Sequence, residues 1–227
     1  MRIIASIFVV VLIPIAFLFD YRSKGIAAGD EDKYHIVLDA GHGGIDNGAV
    51  VNVIKEADIN LSIVRLLKTE LEARNFRVSL TREGTESLEE PFAKNKKVSD
   101  MANRRKKITE LNPSLVISIH QNKFPNTAVR GLQCFYASET EGSEVFANAV
   151  QKQFNENKEF KTNKIVKRTD FNLCEHSTVP AILIECGFLS NGEERALLTT
   201  KLYQEKIAIN IAVALANIII QHWYFSA

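Results

Sequence analysis

The sequence has few cysteines, and their arrangement excludes several classes of protein. Cys134, Cys174 and Cys186 make an odd number with no close pair. This pattern excludes a disulfide framework, and the absence of a CxxC spacing argues against a structural zinc site made of cysteines. Buried free thiols are the favoured interpretation, while one disulfide with one free thiol stays open.

The chain also lacks an excess of charge of either sign. Its 28 basic and 27 acidic residues leave a formal charge of +1. Because binding to a phosphate backbone usually requires a clear basic excess, no nucleic acid is expected as the main ligand. The basic run 104–107 is expected to form a solvated helix face, with contact to an anionic polymer or to lipid headgroups as the alternative.

A long hydrophobic run occurs at the start of the chain. Residues 3–19 form a run of 17 residues that is almost entirely apolar. This length is at the short end for a membrane span and is long for the core of a signal peptide. Charged residues at 20–24 lie where a cleavage region should be small and neutral, which favours an uncleaved signal-anchor over cleavage a few residues later. Residues 1–30 are therefore predicted to be an anchor with a linker, and residues 31–227 an exported domain.

Strand and helix patterns alternate over the rest of the chain. Short apolar runs predict five strands, at 35–40, 77–82, 115–119, 131–137 and 181–185. Apolar residues at helical spacing predict four helices. The first begins near Glu56, and the other three cover 101–111, 143–157 and 202–221. Ser99 or Asp100 is expected to cap the second helix, after an exposed loop at 83–99. The alternation predicts an α/β fold, a layered sandwich with a mostly parallel sheet.

Three side chains able to bind a metal ion lie at notable positions in this pattern. His42 follows the first strand in a glycine-rich turn, Glu56 begins the first helix, and His120 ends the third strand. Because the carboxyl ends of strands line the ligand crevice of open α/β sheets, the two histidines are expected to converge. Glu56 reaches the same place if the loop after His42 folds back. Two histidines and one carboxylate form the ligand set of a catalytic zinc ion.

A fourth residue, Glu185, ends the fifth strand in an otherwise apolar run. Burying an unused carboxylate there would cost on the order of several kcal/mol, so Glu185 is the natural general base and acid. Each of the four residues has an ordinary interpretation when taken singly, such as a turn histidine or a helix-start carboxylate favoured by the helix dipole. Their joint placement favours a metal-dependent hydrolase.

Four segments of the chain resemble the signature blocks of the zinc-dependent N-acetylmuramoyl-L-alanine amidases. They are, in the order of that family, IVLDAGHGGIDNGAV, KEADINLSIVRLLKTEL, SLVISIHQN and PAILIECGFLSN. The resemblance implies a mixed six-stranded sheet flanked by helices, with zinc bound by His42, Glu56 and His120. It also implies that Glu185 is catalytic and that the enzyme cleaves the amide between the lactyl group of muramic acid and L-alanine of the peptidoglycan stem peptide.

Within this family the chain is most similar to the germination-specific amidases of spore formers, which remove stem peptides to make the muramic δ-lactam of the spore cortex. The short chain, the N-terminal anchor and the strand RGLQCFYA carry this narrower resemblance. It implies an exported enzyme, anchored by residues 3–19 between the forespore membranes. A vegetative cell-wall amidase, a zinc peptidase acting on the stem peptide and an inactive wall-binding protein are the alternatives.

The chain departs from the pattern of the family in three places. Gln121 stands where a small residue is common, the pair Thr81–Arg82 precedes a long charged loop, and no autoinhibitory helix fits between the second histidine and the catalytic glutamate. Control by a separate activating partner, such as an accessory lipoprotein, is therefore expected. Asn122, Gln121 and Arg82 are predicted to contact substrate, with bracing of a turn as the alternative for Asn122.

Overall fold

The structure is a computed structural model that describes residues 34–225, except for 138–139, 141, 161, 170, 172 and 174–178. For 221–225 only the backbone is described. The predicted anchor and linker at 1–30 and the thiol of Cys174 therefore lie outside the described residues. Cys134 and Cys186 are buried free thiols, as expected.

The described domain is built on eight strands. They are β1 (His35–Ala40), β2 (Val50–Val51), β3 (Ile54–Lys55), β4 (Arg77–Leu80), β5 (Leu115–Asn122), β6 (Gln133–Tyr136), β7 (Lys167–Arg168) and β8 (Ala181–Phe188). Six of them form one sheet in the order β4-β1-β5-β8-β6-β7, and β2 and β3 form a small hairpin. Strands β4, β1, β5 and β8 are parallel, whereas β6 is antiparallel to β8. The mixed, mostly parallel six-stranded sheet is confirmed.

Helices cover both faces of the sheet. They are α1 (Glu56–Glu72), α2 (Lys96–Leu111), α3 (Ser143–Glu156), α4 (Gly192–Leu198) and α5 (Lys201–Phe225). Side chains of a strand point alternately to opposite faces, so Leu38 of β1 joins the core formed with α1, α3 and α5, whereas Val37 joins the smaller core under α2. The predicted three-layer α/β sandwich is confirmed.

Helix α5 is a core helix of this domain. Ile207, Ile211 and Leu215 are fully buried in the core shared with α1 and α3. Among the described residues, α5 is the one helix whose length and composition would suffice to cross a membrane. Since one of its faces is buried in the core beside α1 and α3, packing inside the domain accounts for its apolar character, and the prediction of a core helix is confirmed.

The start of helix α2 differs from the sequence-based prediction. The helix begins at Lys96, and its cap is Asn95, whose side chain accepts a 3.1 Å hydrogen bond from the Val98 amide. The predicted caps are engaged elsewhere, because the Ser99 hydroxyl and the Asp100 carboxylate accept hydrogen bonds from backbone amides of the preceding loop. That loop is therefore fastened to α2.

The basic run 104–107 is not a uniformly solvated face, and this expectation was wrong. Arg104 is buried and contacts Asp39 and Asp100, whereas Lys106 is exposed. Lys107 donates to the carbonyl of Thr81 at 2.9 Å. Two buried carboxylates turn the first residue of the run inward, which a reading of the charges alone cannot show.

A candidate metal centre at the carboxyl ends of the central strands

Residues 41–48, which we call the His42 turn, follow strand β1. His42 has a φ of 63°, in the left-handed region that residues other than glycine seldom adopt. The turn is closed by two backbone hydrogen bonds between Gly43 and Asp46, of 2.8 and 2.9 Å. The Gly41 amide donates to the carbonyl of Ile119 in β5 at 3.1 Å, so the turn begins directly beside the strand that carries His120.

The hairpin of β2 and β3 folds the chain back so that Glu56 faces the His42 turn. The Ala49 amide donates to Glu56 Oε2 at 2.7 Å, and the Glu56 amide donates to the Ala49 carbonyl at 2.9 Å. A Cβ atom at Gly48 would lie 2.5 Å from Glu56 Oε2 and 2.6 Å from His42 Cδ2, so the contact requires glycine. The loop after His42 thus folds back toward Glu56, which is the condition under which Glu56 was predicted to reach the two histidines.

His42, Glu56 and His120 form one cluster. His42 Nε2 lies 3.2 Å from Glu56 Oε1, and His120 Nδ1 lies 3.0 Å from the same oxygen. The two imidazole rings are 5.0 Å apart between centroids and are nearly perpendicular, at 78°. One ligand atom from each residue lies within 4.8 Å of the others, so the three can hold a metal ion.

The chemistry and spacing of this cluster fit zinc. Nitrogen and oxygen ligands lie about 2.0–2.1 Å from zinc, so tetrahedral geometry separates two ligand atoms by roughly 3.3 Å. The distances of 3.2 and 3.0 Å from Glu56 Oε1 to the two ring nitrogens are close to that value. Three protein ligands with an open fourth position are typical of catalytic rather than structural zinc sites.

The residues of the cluster shift each other's pKa values in opposite directions. Burial alone would raise the pKa of Glu56, but the imidazoles of His120 and His42 outweigh it and hold this pKa well below its ordinary value. Burial would lower the pKa of His42, but Glu56 and Asp46 raise it above its ordinary value. Glu56 is therefore an anion at neutral pH, as a metal ligand must be.

Two supporting residues were missed from the sequence. Asp46 Oδ2 lies 3.0 Å from His42 Nδ1, which leaves the other ring nitrogen of His42 facing Glu56. Asn60 is fully buried, donates to the Gly41 carbonyl at 3.1 Å, and accepts a 3.2 Å hydrogen bond from Gln121. Asn60 had a signal in the sequence, because it is a polar residue beside the apolar stripe of α1, one turn after Glu56.

Glu185 stands next to the cluster on strand β8, where it is the register partner of His120. Its Oε2 atom is buried and has no hydrogen-bond partner among the described residues. Burial raises the pKa of this carboxyl group to about 7, although the nearby imidazoles of His120 and His42 act in the opposite direction. A carboxylate with a free oxygen and this pKa is suited to exchange protons at neutral pH.

The residues predicted to contact substrate occupy different environments. Asn122 is partly exposed at the end of β5, and its predicted substrate contact stays a prediction. Gln121 is 3% exposed and donates to Asn60, and Arg82 is 2% exposed and donates to backbone carbonyls around the His42 turn. The side chains of Gln121 and Arg82 are therefore buried and hydrogen-bonded to protein groups around the site, and their predicted contact with substrate stays a prediction.

The fold and the site together define the class of the protein, a three-layer α/β protein whose His–Glu–His cluster can hold a metal ion. The family model described as N-acetylmuramoyl-L-alanine amidase matches residues 36–217, and the chain belongs to this family. The resemblance found in the sequence is thus confirmed. The chain has N-acetylmuramoyl-L-alanine amidase activity on peptidoglycan, and the cell-wall amidases among its relatives indicate an extracytoplasmic role.

Individual relatives agree with this assignment. The germination-specific N-acetylmuramoyl-L-alanine amidase of Bacillus subtilis (strain 168) is 35% identical over 179 residues, which cover 78% of this chain and 76% of the relative. The structure of the CwlD amidase from Clostridioides difficile in complex with the GerS lipoprotein matches with a TM-score of 0.78 and 36% identity, covering 82% of this chain and 98% of that one. The catalytic domain of CwlV from Paenibacillus polymyxa matches with a TM-score of 0.71 and 29% identity, covering 82% and 97%.

Proposed function

We propose that this amidase is zinc-dependent and cleaves the amide between N-acetylmuramic acid and L-alanine of the stem peptide. His42, Glu56 and His120 hold the zinc ion, and Glu185 is the general base and acid. The observation that carries this proposal is the pairing of a three-ligand cluster with the Glu185 carboxylate, one oxygen of which has no hydrogen-bond partner in the described part of the chain.

The protein residues divide the work of the reaction. Zinc, when bound, supplies a Lewis acid that polarises a carbonyl group and lowers the pKa of water. Glu185 accepts the proton of the attacking water as the new bond to the carbonyl carbon forms. It then delivers that proton to the nitrogen of L-alanine as the carbon–nitrogen bond breaks. Asp46 keeps His42 in the orientation that presents Nε2 to the cluster.

The proposed biological role is removal of stem peptides during formation of the muramic δ-lactam of the spore cortex. The 35% identity to a germination-specific amidase supports this role over that of a vegetative cell-wall amidase. Residues 3–19 anchor the enzyme in the membrane, so that the domain acts between the forespore membranes. We also propose an accessory lipoprotein as partner, by analogy with the CwlD amidase, whose structure is that of a complex with a lipoprotein.

The experiment that tests the proposed chemistry measures bound zinc and the products released from isolated peptidoglycan by the full chain. We expect one zinc ion per chain and free stem peptides that begin with L-alanine. Glu185→Gln should keep zinc and lose activity by about 10²- to 10⁴-fold, the range typical of a general base. His42→Ala should lose both. Glu159→Gln, an exposed glutamate paired with Lys206, is the matched control and should keep both.

Three results would contradict parts of this proposal. Peptides cut within the stem would indicate a peptidase. A chain that releases stem peptides without zinc, or a His42→Ala variant that keeps zinc and activity, would overturn the ligand assignment. Zinc without turnover, restored by an added lipoprotein, would support the proposed partner.

A further inference from the structure

Two buried arginines, Arg82 and Arg104, lie against the His42 turn from the inside of the domain. Their side chains are 2% and 1% exposed, and they come from different elements, the segment after β4 and the middle of α2. A guanidinium group is costly to bury unless its N–H groups are hydrogen-bonded and its charge is paired. The partners of these two groups therefore show which part of the chain they stabilise.

Arg104 is fastened to the end of β1 and to the turn itself. Its Nη1 atom donates to Asp39 Oδ1 at 2.7 Å and to the Ala40 carbonyl at 2.8 Å. Its Nη2 atom donates to the carbonyl of His42 at 2.6 Å, and Nε donates to Asp100 Oδ2 at 2.9 Å. The two carboxylates balance the buried charge, and the remaining N–H groups are directed to backbone of the turn.

Arg82 connects the turn to the start of helix α1. Nε donates to the Ala40 carbonyl at 2.9 Å, and Nη2 donates to the carbonyls of Gly41 at 3.2 Å and Ala57 at 2.9 Å. Nη1 donates to the Gly84 carbonyl at 2.7 Å. Ala57 is the residue after the glutamate of the cluster, so one guanidinium group spans the two elements that carry a histidine and a carboxylate ligand.

The His42 turn needs such support because of its backbone conformation. A left-handed residue other than glycine, such as His42 with its φ of 63°, persists only where the surroundings over-determine it. The carbonyls of residues 40, 41 and 42 all accept hydrogen bonds from the two guanidinium groups. These contacts fix three consecutive peptide planes and with them the direction of the His42 side chain.

We propose that Arg82 and Arg104 are positioning residues of the metal centre, which set the separation between the ligand atoms of His42 and Glu56. The inference rests on the proposed function, because it assumes that the cluster binds zinc. Arg82 has the larger effect, since it joins both ligand-bearing elements, whereas Arg104 holds only the turn. Lysine cannot replace either residue. A guanidinium group bonds carbonyls that lie on different sides of it, whereas the single ammonium group of lysine cannot reach all of them at once.

The test compares Arg82→Lys and Arg104→Lys in the full chain, with Arg74→Lys as the matched control. Arg74 also bonds a carbonyl and a carboxylate, both of Glu70, but at the far end of α1.

Zinc affinity is measured by competition with a chromophoric chelator, and thermal unfolding is measured in excess chelator. We expect Arg82→Lys to weaken zinc binding by about 10- to 100-fold, the range found when partners of metal ligands are changed. Arg104→Lys should weaken it less, and Arg74→Lys should leave it unchanged.

A second readout separates positioning from general support of the fold. The absorption spectrum of the cobalt(II)-substituted protein responds to the geometry of the ligands, and it should change in Arg82→Lys while cooperative unfolding of the metal-free protein is retained. Unchanged zinc affinity and an unchanged cobalt spectrum in both variants, beside an unmodified chain that binds zinc, would overturn this inference alone. Loss of cooperative unfolding in both would also overturn it, since the arginines would then support the whole fold. An unmodified chain that binds no zinc would overturn the proposed function as well.

Discussion

His42 and His120, the two histidines of the cluster, are held by different kinds of structure. His120 lies within strand β5, which pairs with β1 on one side and with β8 on the other. The backbone hydrogen bonds of a central parallel strand fix its position. His42 lies outside any strand, in a left-handed turn braced by Asp46 and by two arginines that are distant in sequence. One ligand is thus positioned by secondary structure and the other by long-range side-chain contacts.

The two histidines should differ in how far substitutions elsewhere in the domain displace them. A strand in the middle of a sheet tolerates most changes in distant residues, because its ladder of hydrogen bonds is made by backbone. A braced turn depends on each of the side chains that hold it, so its geometry is sensitive to substitutions that leave the fold intact. We therefore expect the metal affinity to follow the state of the His42 turn more closely than the overall stability does.

The largest effect is expected where the two regions touch, at Gly41. A Cβ atom there would lie 2.2 Å from His120 Nε2 and 2.3 Å from Cε1, so the ring cannot keep its place. Because Gly41→Ala displaces a ligand directly, we expect zinc affinity to fall by more than about 100-fold, beyond the range for changed partners of a ligand. Zinc titration and amidase assays measure the effect.

Gly192→Ala is the control for the loss of a glycine. A Cβ atom at Gly192 meets nothing nearer than Arg195 Nη2 at 3.8 Å, so zinc binding and activity should stay unchanged. A Gly41→Ala variant with normal zinc affinity would show that His120 has room to move without loss of the site. The contrast between a fixed strand ligand and a braced turn ligand would then fail.

The same contrast explains how much of the fold was predictable. The runs of β1, β5 and β8 are apolar because central strands are buried on both faces, so their existence is visible in the sequence. Their ends were less visible, and β5 and β8 extend to Asn122 and Phe188. The hairpin of β2 and β3, the short β7 and helix α4 were not predicted, since two-residue pairings and a single helical turn or two leave no periodicity.

A smaller effect is expected at Asp46, which braces His42 alone. Asp46→Asn keeps the shape of the side chain and one acceptor oxygen but removes a negative charge. That charge is present at neutral pH, because the hydrogen bonds of the Asp46 carboxyl, that with His42 foremost, outweigh burial and lower its pKa to about 2. The uncharged partner makes the imidazole a poorer ligand, so zinc affinity should fall by about 10- to 100-fold. Competition with a chelator measures it.

Asp58→Asn, an exposed acidic residue in the first turn of α1, is the matched control. It should leave the zinc affinity unchanged, which separates the contact with His42 from a general loss of negative charge near the site. Equal zinc affinity in Asp46→Asn and the unmodified chain would show that the arginines suffice to orient His42 without its carboxylate partner.

The candidate site was predictable only to the extent that its residues adjoin regular sequence patterns. His42, Glu56, His120 and Glu185 were found because they follow the apolar runs that predict strands or stand at the predicted start of a helix. Arg104 was misjudged, because a run of basic residues on a helix looks solvated until the buried carboxylates across from it are known. Residues that act through contacts distant in sequence cannot be recognised from the residues next to them in the chain.

The smallest effect is expected at Lys97, which lies at the outer end of this chain of contacts. Its Nζ atom is 2.9 Å from Asp46 Oδ2, but its side chain is 70% exposed. Water and salt screen such a pair, so Lys97→Met should change zinc affinity by less than about five-fold, and the difference should shrink further at high salt. Lys106→Met, which removes an equally exposed lysine of α2, is the control and should have no effect. A loss in Lys97→Met as large as that in Asp46→Asn would mean that the ammonium group of Lys97 is needed to keep the Asp46 carboxylate against His42. The bracing of the His42 turn would then extend to the surface, where ionic strength would control it.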